Sequence, residues 1–249
     1  MSLDESPLRH WMLEHEAQGS RRAVTLAGKP YLAGELQSLD RYIATEIQRL
    51  PPDGASSLRF RDLSGLDWSG YPVALYAGQE LPEIEEGRAA AKALAFLKWL
   101  AELHPARQAE LEVAAQALKS GRKEVERLHK VHRHLTAAVH SRAFIPAPTD
   151  SLENLVWQEA MSASQWPEVV ERDDDVFEVL TKNSKRGLAY LRGQAGGRAV
   201  VFKADPALAA KLQPGDRLPL KLGRCTDGAY ILEGCSPPLP RRVPAGDSI

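Results

Sequence analysis

Taken in order, the hydrophobic and polar positions divide the chain into stretches of different period. Leu8, Trp11, Met12 and His15 recur at helical spacing, which predicts a short amphipathic helix over residues 4–18 that ends near Gly19. Residues 22–33 read as a hairpin turning at Gly28-Lys29. Leu36, Leu39, Ile43 and Ile47 then mark a helix that Pro51-Pro52-Asp53-Gly54 stops. Residues 57–62 alternate apolar with polar, and 71–77 form a second expected strand, with Trp68 in the loop between them. Residues 1–80 are therefore expected to form a small α+β unit.

A helical region follows, expected over residues 81–165. Glu83 to Leu103 is rich in Ala and Leu, opens with carboxylates that suit a helix N-terminus, and halts at His104-Pro105. The next helix, about 107 to 140, carries a seven-residue repeat. Leu111, Leu118, Val125, His132 and Val139 occupy one position, and Ala114, Gly121, Leu128 and Leu135 lie three residues further on. That repeat predicts a long helix packed antiparallel on its neighbour, or a short coiled-coil stalk, with Gly121 leaving a gap in the seam. After Pro146 and Pro148, Ser151 caps a further expected helix.

From Asp173 to Cys235 the period changes to two. The runs VFEVLTK, LAYLRG, GGRAVVFKA, LPLKLGRC and AYILEGC are bounded by Gly, Asn, Asp or Pro, and DPALAAKLQPGDR reads as a linker within them. Five short strands over 173–236 predict a small closed or nearly closed barrel. The fold class is thus α+β: an N-terminal α+β unit, a central long helical hairpin and a C-terminal five-stranded β-barrel, with 237–249 as a flexible tail.

Within this stretch, Lys185-Arg186-Gly187-Leu188-Ala189-Tyr190-Leu191, then Val200-Val201-Phe202-Lys203, then Leu212-Gln213-Pro214-Gly215-Asp216 and a hairpin at Asp227-Gly228 follow one another. This order resembles the cold-shock-type oligonucleotide-binding barrels, over roughly a quarter of the chain. The resemblance implies single-strand binding by a basic track and stacked aromatics, with Tyr190 where that family stacks a base. Leu188 departs from the pattern by replacing the first stacking aromatic. Alternation puts Val201 and Lys203 on one face and Phe202 on the other, unless the register is shifted. The alternative is that Tyr190, Phe202 and Phe177 are ordinary core or rim residues.

The net charge of −1 conceals a segregation. Basic against acidic residues number 12 and 17 over 1–118, 7 and 2 over 119–142, 1 and 9 over 143–178, and 12 and 5 over 179–249. Two basic blocks flank an acidic connector, which suits a polyanionic partner or, equally, segments that neutralise one another within the fold. No run of apolar residues is long enough to span a membrane, and residues 1–6 lack a basic flank and an apolar core, so a cytoplasmic protein is expected. Cys225 and Cys235 are the only cysteines, and both read as small apolar fillers in a reducing compartment.

Enzyme signatures are missing from the sequence: no phosphate-loop, dinucleotide, zinc-protease or nucleophile-elbow motif occurs. Glu126, His129, His132, His134 and His140 cluster on one helix, and Glu126-x-x-His129-x-x-His132 offers metal-ligand spacing. A di-iron bundle would need a second copy on a facing helix, and none exists, so a polar seam position at His132 is the competing account. Asp62, Asp67, Glu80, Glu83, Glu85 and Glu86 surround Trp68 as a carboxylate patch or as ordinary helix starts.

The leading expectation is a non-catalytic protein that binds nucleic acid, DNA or RNA, without a cofactor or bound metal. Lys182, Lys185, Arg186, Arg192, Arg198 and Lys203 would contact the backbone, Tyr190 would stack, and Arg122, Lys123, Lys130 and Arg133 would extend the track. The alternatives are an interaction scaffold, or an accessory subunit of a helicase-type machine, that docks a protein partner on the helical stalk, and a metalloenzyme built on His129 and His132.

Overall fold

The structure, a computed structural model, describes residues 25–26, 29–30, 38–39, 41–43, 45–46, 63–78, 83–140, 144–145, 168–226 and 230–241. The helix expected over 4–18, the strand over 57–62, the helix from Ser151 and the hairpin turn at Asp227-Gly228 lie outside them. The elements are β1 (Thr25–Leu26), β2 (Lys29–Pro30), α1 (Gly70–Gly78), α2 (Glu83–Leu103), α3 (Gln108–His140), β3 (Phe144–Ile145), β4 (Val169–Asn183), β5 (Leu188–Gly193), β6 (Ala199–Lys203), α4 (Pro206–Lys211), β7 (Arg217–Cys225) and β8 (Tyr230–Cys235). The chain has α+β architecture. It divides into two units, Met1–Val125 with Pro244–Ile249, and Glu126–Val243, so the boundary falls within α3. No helix of the described residues is long and apolar enough to cross a membrane.

In the first unit, Leu39, Ile43, Leu63, Trp68, Tyr71, Leu75, Phe96, Leu97, Leu100, Leu111 and Leu118 share one core. Trp68 is fully enclosed, and its indole N–H donates to the Leu63 carbonyl at 2.7 Å, which removes the cost of burying that donor. Residues 71–77, expected as a strand, belong to helix α1. Tyr71, Pro72, Val73, Leu75 and Tyr76 are all buried, and a short run that is apolar on every side carries no period to separate helix from strand. Pro72 falls in the first turn, where a helix tolerates proline. The β1–β2 pair has Leu26 opposite Lys29, so Lys29 begins the returning strand instead of lying in the turn.

Gly121, the gap in the heptad seam, has a specific use. A Cβ placed there would stand 2.1 Å from the Ser69 carbonyl oxygen, so α3 passes the start of α1 at a distance only glycine allows.

The second unit is built on an antiparallel sheet in the order β3-β8-β7-β4-β5-β6. Its ladder is open, with β3 and β6 at the edges, which corrects the expected closed five-stranded barrel. The organising strand is β4, 15 residues long: its first part pairs with β7, its last with β5, and both ladders overlap at Phe177 and Glu178. Asp173–Asp175 are inside this strand, which begins at Val169, ahead of the Asp173 start expected from the sequence. Each carboxylate is met: Asp173 by Arg198 at 2.8 Å, Asp174 by cross-strand Lys221 at 3.4 Å, and Asp175 by the Val176 and Ala195 N–H groups that it accepts.

Phe177, Val179, Ala189, Leu191, Val200, Phe202, Leu218, Leu220, Leu222 and Leu232 project to one face of the sheet. There they pack with Val131 and Leu135 of α3 and with Leu208 and Leu212. The segment 205–217, expected as a linker, contains α4. Asp205 caps it by accepting the Leu208 N–H at 2.8 Å, and Pro206 follows the cap, where its missing donor is harmless. The Gln213–Asp216 turn closes with Gly215 at φ 88°. Residues 237–241, expected in a flexible tail, lie against the sheet: Leu239 N–H donates to the Arg217 carbonyl at 2.7 Å, and Pro238 and Pro240 are buried.

Candidate nucleic-acid interface

Side chains alternate between the faces of a strand, so the pairing registers place each residue. Opposite the buried face, cross-strand neighbours form three rows: Asn183–Leu188–Lys203, Thr181–Tyr190–Val201 and Glu178–Arg192–Ala199. The last row continues onto β7, where Arg217 pairs with Glu178. Tyr190 is central and 41% exposed, flanked by half-buried Val201 and Leu188. Leu180, the extra residue of a bulge in β4, is exposed beside it. Phe202 points the other way into the core and is fully buried, so the unshifted register holds and Tyr190 is the aromatic of this face.

Lys185 and Arg186 occupy the turn between β4 and β5, at the Asn183–Leu188–Lys203 end of the face. The turn is held by Asn183, whose side-chain oxygen accepts the Arg186 N–H at 3.2 Å. It is also held by Gly187 at φ 65°, where a Cβ would stand 2.4 Å from the Ala204 carbonyl oxygen. Glycine is required on both counts, and it locks the turn that presents the two cations.

Two groups stand out among the described basic residues of this unit. Arg127, Arg172, Arg198, Lys221, Arg224 and Arg241 are paired with carboxylates. Among the described residues, the side chains of Lys185, Arg186, Arg192, Lys203 and Arg217 enter no ion pair or hydrogen bond. All five border Tyr190's face. A phosphate approaching it meets cations that no ion pair already holds, a condition for favourable backbone contact.

Four expected contacts of this unit lie elsewhere. Lys182 pairs with inward-facing Ala189, and its Nζ donates to the Ala210 carbonyl at 2.8 Å near the C-terminus of α4, where a cation suits the helix dipole. Arg198 donates to Asp173 at 2.8 Å, lies 3.5 Å from Glu171, and has its guanidinium 5.6 Å from the centroid of the Tyr230 ring. It organises the far end of the sheet. Lys130 and Arg133 are exposed on the helix that covers the buried face, so they and Tyr190 are on opposite faces of the sheet. Arg122 and Lys123 are exposed in the part of α3 that belongs to the first unit. Arg217 was missed by sequence reasoning, although the alternation Arg217-Leu218-Pro219-Leu220-Lys221-Leu222 already separated its outward positions from its leucines.

Among the described residues no group of three or more His, Cys, Asp or Glu side chains is placed to hold a metal ion. Instead, His134 Nδ1 lies 3.5 Å from the Asp205 carboxylate, and burial, with His129 adding to it, lowers the pKa of His132. Within the carboxylate patch, Asp67 accepts from Ser69 Oγ and from the Gly70 N–H at the start of α1, the geometry of a helix cap. Neither cysteine is in a disulfide. Cys235, beside Thr136 Oγ1 at 3.7 Å, has its pKa raised by burial, so neither its protonation nor its position suits a nucleophile.

No protein-family model matches the chain, and no curated protein or solved structure is significantly similar to it.

Proposed function

We propose that this protein binds single-stranded nucleic acid, without catalysis, on the open face formed by β4, β5, β6 and the start of β7. The observation that carries the reading is that, among the described residues, five cations whose side chains enter no ion pair, Lys185, Arg186, Arg192, Lys203 and Arg217, surround Tyr190, an aromatic exposed on this face. Stacking on a tyrosine is worth about 1–3 kcal/mol per base and needs an unstacked base, which a single strand offers and a duplex does not. Partly open five-stranded barrels that bind oligonucleotides use the face of their second and third strands and the loop between the first and second. Counting from β4, the corresponding strands are β5 and β6, and the corresponding turn carries Lys185 and Arg186.

The test is fluorescence anisotropy with labelled single- and double-stranded DNA and RNA at low and near-physiological salt. Binding of single strands that weakens with salt is expected. Replacing Lys185, Arg186 and Lys203 together should lower affinity and reduce the salt slope by about one for each phosphate no longer neutralised. Absence of binding to any single strand at low salt overturns the function, and unchanged binding by the triple variant overturns the surface.

A further inference from the structure

We infer that Glu178 makes this face selective for bases that carry an exocyclic amino group, disfavouring thymine and uracil. The inference rests on the binding mode proposed above and concerns a residue that a phosphate-binding surface by itself would not contain. Glu178 is half-buried on the open face, directly opposite Arg192 on one side and Arg217 on the other. Flanked by two arginines, its carboxylate still forms no ion pair or hydrogen bond among the described residues. It is thus an acceptor held in place by the strand and by the potential of its neighbours, with its lone pairs unused.

Its position relative to Tyr190 gives the carboxylate a target. Arg192 follows Tyr190 by two residues on β5 and faces the same way, so Glu178 is the diagonal cross-strand neighbour of the tyrosine. Such neighbours are about 7–8 Å apart and within reach of long side chains. A base stacked on the Tyr190 ring would present its edge to the row that contains Glu178. An ionised carboxylate only accepts hydrogen bonds. It therefore matches the amino hydrogens of cytosine N4 or adenine N6 and opposes the O4 carbonyl that thymine and uracil place at the corresponding position. Arg192 and Arg217, on either side, hold the phosphates of neighbouring nucleotides, which keeps the carboxylate from repelling the strand as a whole.

The experiment compares anisotropy titrations of the full chain with three single strands of about ten nucleotides, within the site sizes of such folds. One is oligo-dC, one is oligo-dT, and one carries N4,N4-dimethylcytosine, which keeps the ring but lacks both amino hydrogens. Preference for dC over dT of roughly tenfold is expected, the size of one good base-edge contact. Dimethylcytosine should behave like dT. Glu178→Gln and Glu178→Ala should bring dC and dT within about twofold while binding dT more tightly, because a negative charge leaves a phosphate-binding surface. Equal binding of all three strands by the unmodified protein overturns the selectivity and leaves the binding face standing. A dC preference that survives both substitutions, or that dimethylcytosine shares, overturns the role of Glu178. No binding of any strand overturns the binding face itself.

Discussion

The guanidinium of Arg127, near the middle of α3, meets the carboxylate of Asp216, at the turn into β7, through two hydrogen bonds of 2.7 Å each. Asp216 has no exposed surface, and its carboxylate also accepts the Gln213 N–H at 2.8 Å and Arg241 Nε at 3.3 Å. Arg127 donates a further bond to the Lys211 carbonyl at 2.8 Å. One buried anion thereby joins α3, the end of α4, the turn before β7 and the segment after β8. Around the same turn, Val179 N–H donates to the Asp216 carbonyl and Gly215 N–H to the Val179 carbonyl, so the tie extends to β4. Paired and fully hydrogen-bonded burial is the condition under which such a charge persists.

Breaking this pair from one side leaves a buried charge uncompensated. Asp216→Ala should cost about 3–5 kcal/mol, while Arg127→Met combined with Asp216→Leu should recover part of that loss. Urea unfolding followed by circular dichroism measures both, and a single variant within about 1 kcal/mol of the parent would refute the role assigned to the pair.

The close approach at Gly121 makes a prediction opposite in sign to helix propensity. Alanine in a helix interior is ordinarily better than glycine by about 1 kcal/mol. At Gly121 the added Cβ meets the Ser69 carbonyl oxygen, so Gly121→Ala should destabilise by about 1–3 kcal/mol. At Gly87 in α2 an added Cβ would meet nothing within 4 Å, and Gly87→Ala should be neutral or stabilising. Thermal midpoints of the two variants should therefore move in different directions.

Two groups give stability a pH dependence. The pKa of Asp205 is lowered chiefly by the Leu208 N–H it accepts as the cap of α4. A lowered carboxyl contributes stability above its ordinary value near 3.8 and loses it as pH falls through the folded value. Asp205→Ala should cost about 1 kcal/mol at neutral pH, with the difference from the parent shrinking below pH ~4. His132 has its pKa lowered by burial, with His129 adding to it. Its contribution is fully present above the ordinary value of 6.5 and declines as pH falls below it, because the unfolded chain takes up the proton first. Urea midpoints at pH 7.5 and 5 should differ less for His132→Gln than for the parent, and an unchanged difference would refute this.

On the open face, Tyr190→Ala should weaken single-strand binding by about 1–3 kcal/mol, roughly 5- to 150-fold, and Tyr190→Phe by much less, since stacking needs the ring and not the hydroxyl. Arg198→Ala serves as the contrast. Its side chain is committed to Asp173, Glu171 and the Tyr230 ring, so that variant should lose stability while keeping its affinity at low salt. A loss of affinity in Arg198→Ala equal to that in Tyr190→Ala would mean that the face has been drawn in the wrong place.

Local pattern was enough to determine the elements whose period is unambiguous. The helices α2 and α3 and the strands β5 to β8 are readable within a few residues from spacing and from the glycines and prolines that bound them. Alternation alone set Val201 and Lys203 on one face and Phe202 on the other, and the β5–β6 register then added Tyr190 to the first. Tertiary structure decided the rest, because the deciding partners are distant in sequence. Helix α1 is buried on all sides by residues from α2 and from either side of it, and that erases the period a sequence could display. Glu171, Asp173 and Asp174 remain in β4 because Arg198, Lys221 and Arg224, all distant in sequence, reach them. Composition counted basic residues but could not separate them; only the packed sheet shows which cations are ion-paired with carboxylates and which surround Tyr190 without an ion pair. Charge is additive along a sequence, whereas pairing depends on three-dimensional distance, and the candidate site is defined by pairing.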